Sequence, residues 1–142
     1  MKTLNCVLLI DDNVNDNYIH TFTINKVDPA IRVNSVLSGE EAIEYFSKTE
    51  TDPDNYPFPE LVFLDINMPG MNGFEFLEKA YRDNVFRDET PVVVIMLTSS
   101  LNPVDLKKAE QEYGQEIVEF QNKPLTVEMF KETVNNHFGK MY

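Results

Sequence analysis

The chain has 142 residues with 24 acidic and 12 basic side chains, a formal net charge of −12, which argues against a nucleic-acid surface because phosphates need a basic patch. A domain of this length buries roughly two-thirds of its unfolded surface and stands without disulfides or structural zinc. No stretch approaches the ~20 apolar residues of a membrane span, and the first apolar run is too short for a signal peptide and soon interrupted by acids, so a soluble, cytoplasmic domain is expected.

The run "CVLLI" at 6 to 10 predicts a first strand that ends on Asp11 and Asp12. Its lone Cys6 reads as a small buried thiol, which fits a reducing compartment. In the helical segment that follows, His20 beside Ile19 and Phe22 reads as an ordinary, partly exposed histidine. A second strand is expected in "IRVNSV", 31 to 36, and Ser38 with Glu41 three residues on reads as a capping box leading into Ala42, Ile43 and Phe46. Residues 48 to 60, "KTETDPDNYPFPE", hold three prolines and four acids and read as an exposed loop.

"LVFL" at 61 to 64 runs straight into Asp65 and then into a turn-rich segment with Pro69, Gly70 and Gly73, where Met68 and Met71 read as packing residues. "VVVIML" at 92 to 97 ends on Thr98 and Ser99. Asn102-Pro103 reads as the start of a fourth helix and Gly114 as its stop. "IVEF" at 117 to 120 is the fifth strand, followed by Lys123-Pro124. Thr126 can cap a last helix whose Val127, Phe130, Val134 and Phe138 recur at three- and four-residue spacing.

Three of the five runs are nearly continuous Val, Ile and Leu, the pattern of strands covered on both faces. Strands alternating with helices therefore predict an α/β fold, a doubly wound five-stranded parallel sheet with right-handed crossovers, built as one domain over 1–142.

In such sheets ligands bind beyond the carboxyl ends of the strands, where Asp11, Asp12, Asp65, Thr98, Ser99 and Lys123 are expected. Two carboxylates at ~4 Å repel by about 4 kcal/mol at an effective dielectric near 20, so a cluster of them needs protons or a cation. Oxygen ligands without a His or Cys cluster favour a hard ion such as Mg2+. A carboxylate facing that ion can attack a phosphoryl group, and Lys123 and Thr98 can stabilise the transferred oxygens.

The combination of Asp11-Asp12, Asp65 in "DINMPGMNG", Thr98-Ser99 and Lys123-Pro124 resembles the CheY-like receiver domain of bacterial two-component response regulators, from about Leu4 to Phe138. The resemblance implies a flavodoxin-like (βα)5 fold with strand order 2-1-3-4-5. It implies that Asp65 accepts phosphate from a histidine kinase or a histidine phosphotransfer protein. Asp12 and Asp65 would bind Mg2+ through side chains, Asn67 through its backbone carbonyl and Asp11 through water, while Thr98 and Lys123 would contact the phosphoryl group. Phe120, three residues before the lysine, would be the switch aromatic of an output surface that includes Leu101 and Val104. Asn67 and Ser100 stand where family members tune hydrolysis.

The 48–60 segment departs from a compact receiver. No effector domain is expected after this one, so the reading is a stand-alone switch or relay that acts by binding another protein, without direct DNA or membrane contact. Such a protein catalyses only its own phosphorylation and dephosphorylation. The alternatives are a phosphatase of the haloacid-dehalogenase type, which would carry its nucleophile on the first strand in a D-x-D arrangement, and an interaction module that does not use phosphorylation.

Overall fold

The apolar runs become the centre of a parallel sheet because helices cover both of its faces. The computed structural model describes residues 3–87, 92–99, 107, 111 and 118–142. Their order is β1 (Cys6–Ile10), α1 (Val14–Val27), β2 (Arg32–Val36), α2 (Gly39–Thr51), β3 (Leu61–Asp65), α3 (Gly73–Arg82), β4 (Val93–Thr98), β5 (Val118–Asn122) and α4 (Val127–Phe138). The five strands lie in the order β2-β1-β3-β4-β5, and every pairing is parallel. This is the expected doubly wound sheet. Leu101, Val104, Asn102-Pro103, Gly114 and Ser100 lie outside the described residues, as does the start of the expected fifth strand at Ile117.

Alternation along each central strand divides two cores. Leu8, Ile10, Val62, Leu64, Val94 and Met96 point to one face, where Ala42 and Phe46 of α2 and Phe74, Phe76 and Leu77 of α3 cover them. Val7, Leu9, Leu61, Phe63, Val93 and Ile95 point to the other, under Ile24 of α1 and Phe130, Val134 and Phe138 of α4. Fully burying each such side chain contributes about 1.5–3 kcal/mol. Register aligns the strand ends, pairing Ile10 with Leu64 and Asp65 with Leu97.

Caps fix where the helices begin. The Asn13, Ser38, Asn72 and Thr126 side chains accept from the amides of Asp16, Glu41, Glu75 and Met129. Ser38 and Thr126 are the expected caps, and a box with both halves formed is found at Asn72 and Glu75.

The expected exposed loop over 48–60 needs correction. Helix α2 continues to Thr51, with Thr49 buried and its hydroxyl donating to Phe46 O at 2.6 Å. The remainder is fastened down. The Arg32 guanidinium donates to the carbonyls of Asp54 and Asn55, the Tyr45 hydroxyl donates to Pro57 O at 2.6 Å, and Phe58 packs edge-on to Phe46 under the Arg87 guanidinium. Glu60 closes the segment: its Oε1 accepts from the amides of Asn5 at 2.7 Å and Cys6 at 2.9 Å. Glu60→Ala leaves two amides at the head of β1 without this acceptor, so a loss of about 1.5 kcal/mol is expected. Urea unfolding would measure it, and an unchanged midpoint would mean that water replaces the carboxylate without cost.

Candidate functional site: an acidic cleft at the carboxyl ends of the strands

Strands β1 and β3 deliver their acids to one place because their registers end together. Asp11 follows β1 and is 4% exposed, Asp65 closes β3 at 5%, and Asp12 is exposed at the mouth. Ligand oxygens of Asp11, Asp12 and Asp65 all lie within 4.8 Å of one another. The chain turns out of β1 on an Asx arrangement, Asn13 N donating to Asp11 Oδ1 at 2.9 Å. On β3, Asn67 N points to Asp65 Oδ1 over a longer 3.4 Å. These residues line a cleft of about 570 Å3 together with Asn13, Asp16, Ser99 and Lys123.

Lys123 answers the charge of the acids. Its backbone amide donates to Thr98 O at 2.8 Å, which fixes it beside the end of β4. Its ammonium lies 2.6 Å from Asp11 Oδ2, 3.0 Å from Asp16 Oδ2 and 3.4 Å from Asp65 Oδ1. Burial alone would lower the lysine pKa, but bonds to Asp11 and Asp16 outweigh it and hold the group protonated well above its ordinary range. Asp65 is also pushed up, to about 6, which for a carboxylate favours the neutral form, first by burial and then by the Asp11 charge, with Lys123 opposing.

The structure brings Asp11, Asp12, Asp65, Asn67 and Lys123 to one cleft. Thr98 is buried at 1% exposure at the end of β4, and Ser99 reaches the cleft wall. Phe120 is half-buried on β5, packed on the core face of α2 and α3 with its ring 6.2 Å from that of Phe74.

His20 is not the partly exposed side chain expected. It is 2% exposed, and its Nε2 accepts from Leu125 N at 3.3 Å, tying α1 to the segment that carries Lys123. Burial holds its pKa below the ordinary histidine value, which suits an acceptor nitrogen.

Asp16 went unnoticed in the sequence as a partner of Lys123. The available signal was local: Asn13 caps α1, so Asp16 is the third helical residue, and helical side chains point back toward the N-terminus, here toward the cleft.

An all-oxygen donor set of three clustered carboxylates fits a hard divalent cation and suits no soft metal. Fold and cleft together define a doubly wound domain whose chemistry sits at its topological switch, between β1 and β3.

Comparison with known proteins supplies the family. A family model described as "Response regulator receiver domain" matches residues 7–135, and the chain belongs to that family. It is 31% identical over 134 residues to a probable cyclic di-GMP phosphodiesterase of Vibrio cholerae, covering 93% of this chain but 26% of that protein. It is 27% identical to a probable methanogenesis regulatory protein, FilR2, of Methanothrix harundinacea, covering 90% of this chain and 77% of the relative. The solved structure of a two component response regulator from Cytophaga hutchinsonii matches with TM-score 0.79 and 30% identity, over 95% of this chain and 97% of that one.

Receiver domains are generally signalling switches rather than enzymes, although some relatives, such as a phosphodiesterase and a methylesterase, are named for enzymes; they generally interact with histidine kinases or phosphotransfer proteins and typically bind Mg2+. Among the described residues no helix is long and apolar enough to cross a membrane.

Proposed function

We propose that this domain is a phosphorylation switch in which Asp65 accepts a phosphoryl group. The observation that carries the reading is the convergence of a half-buried ammonium, Lys123, with the carboxylates of Asp11, Asp12 and Asp65 in one cleft. An Asp65 oxygen attacks phosphorus, the bond from phosphorus to the donor histidine nitrogen breaks, and the histidine leaves. Lys123 offers its charge to the oxygens of the transferred group, and Thr98 stands at the strand end beside Lys123. Asp12 and Asp65 would hold Mg2+ by side chains, Asn67 by its carbonyl and Asp11 through water. Bound there, the ion supplies charge neutralisation for phosphoryl oxygens.

In this reading the domain catalyses only its own phosphorylation and dephosphorylation, and it signals in the cytoplasm by binding a protein rather than DNA. Phe120 is its switch aromatic. The acid carrying the reaction sits on β3 rather than β1, so a haloacid-dehalogenase-type phosphatase gains no support.

Intact mass after incubation with acetyl phosphate tests the reading on the wild type and on Asp65→Ala, with and without Mg2+. One phosphoryl adduct is expected, dependent on Mg2+ and lost in the variant. No adduct in either protein would overturn the reading and leave a module that acts without phosphorylation.

A further inference from the structure

Three carboxylates share the Lys123 ammonium, and the phosphoacceptor reading accounts for two of them. The third, Asp16, is bound more closely than Asp65 is: 3.0 Å against 3.4 Å. Charge-assisted bonds are strong near 2.7–2.9 Å, so the ammonium is drawn to Asp11 and Asp16, toward α1 and away from β3.

We propose that Asp16 is a positioning residue that holds Lys123 off Asp65 and competes with a phosphoryl group on Asp65 for its charge. The proposal rests on the phosphoacceptor reading and names a control on that same site.

An ammonium has three protons, and three carboxylates already face this one. Once phosphorylated, Asp65 offers phosphoryl oxygens in place of its carboxylate, and for them to draw the ammonium closer than the present 3.4 Å it must loosen its shorter contacts to Asp11 or Asp16. Asp11 is the hardest to displace, because it is buried, sits at 2.6 Å and also accepts from Asn13 N. The Asp16 side chain is 31% exposed against 6% for Asp11, so water can take over its solvation most readily. A phosphoryl group also brings up to about two negative charges, which Asp16 would repel.

The two partners sit on elements tied to each other, so the contact does not depend on two free side chains meeting. Asn17 Nδ2 donates to Asp11 O at 2.9 Å, and His20 receives the Leu125 amide two residues beyond Lys123. A purely structural role also exists, since a carboxylate in the first turn favours the helix dipole; that role would leave Lys123 unaffected.

The test compares wild type, Asp16→Asn and Asp16→Glu. In metal-free protein, acylation of lysines by a succinimidyl ester is followed by peptide mass spectrometry. Lys123 should react roughly two- to fivefold faster in Asp16→Asn, the scale of one partly exposed ion pair, with Lys48, Lys79 and Lys131 unchanged and Asp16→Glu close to wild type. Fluoroberyllate with Mg2+, a phosphoryl mimic followed by fluorine NMR, should bind Asp16→Asn tighter by a similar factor. Unchanged Lys123 acylation, or fluoroberyllate binding that is equal or weaker, overturns the proposal. If the wild type binds no fluoroberyllate, the phosphoacceptor reading falls and the competition with it. The acylation result separates that failure from a failure of Asp16 to hold the ammonium.

Discussion

In metal-free buffer at pH 7.5, Asp65→Asn is expected to raise the unfolding free energy by about 2 kcal/mol. The wild-type carboxyl is 5% exposed and faces Asp11, and its pKa stands at about 6 against an ordinary 3.8, with burial the first cause and the Asp11 charge the second. The folded acid therefore binds a proton more tightly than the unfolded acid does. Between about pH 4 and 6 the folded state holds more protons, and stability falls as pH rises through that window.

Above the folded pKa the cost is constant, at most about 3 kcal/mol for a shift of this size at 1.36 kcal/mol per unit, and imperfect seating of the asparagine amide, whose NH2 cannot accept from Lys123, brings the net gain nearer 2. Asparagine keeps the shape without the charge. Urea unfolding with chelator across this range should show the gap between variant and wild type opening from pH 4 to 6 and staying flat beyond. A gap that does not vary with pH would contradict the assignment. Mg2+ should narrow it, because only a state that binds the ion is stabilised by it.

Gly73→Ala should cost about 3 kcal/mol, for a reason that concerns the same acid from behind. A β-carbon at Gly73 would lie 2.6 Å from Asp65 O, 2.9 Å from Met96 Cε and 3.0 Å from Ile66 Cα. Two of those neighbours are backbone and cannot swing aside as a side chain does. Gly73 N also donates to Ile66 O at 2.9 Å, so the first turn of α3 is laced to the end of β3. Adding the methyl group must push helix and strand apart, an overpacking cost at the upper end of the usual 1–3 kcal/mol. A denaturation midpoint within error of wild type would show that α3 can shift freely. The glycine that closes "DINMPGMNG" thus sets how closely α3 approaches the backbone that presents Asp65.

Much of this was legible in the chain. Continuous apolar runs announced two-sided strands, and a strand ending on Asp65 became intelligible once Asp11, Asp12 and Lys123 were placed at neighbouring ends. The segment around Thr49 was not legible, because three prolines and a run of acids speak for a loop while burial of Thr49 and Phe46 extends the helix. Nor was α1. Its polar Asn17 and His20 are buried, whereas Val14, Tyr18 and Phe22 are 63%, 74% and 66% exposed, the reverse of the usual amphipathic rule. The Asp16 to Lys123 contact joins residues 107 positions apart; the Asn13 cap could aim Asp16 at the cleft, but only the fold brings Lys123 to meet it.

The fastened segment from Asp52 to Glu60 leads into the amino end of β3, and the acidic cleft lies past the carboxyl ends of β1 and β3. The molecule therefore has two poles. Asp54 and Asn55 are exposed at the pole away from the cleft, so an anchor attached there would immobilise the protein on a surface with its reactive mouth turned toward solution.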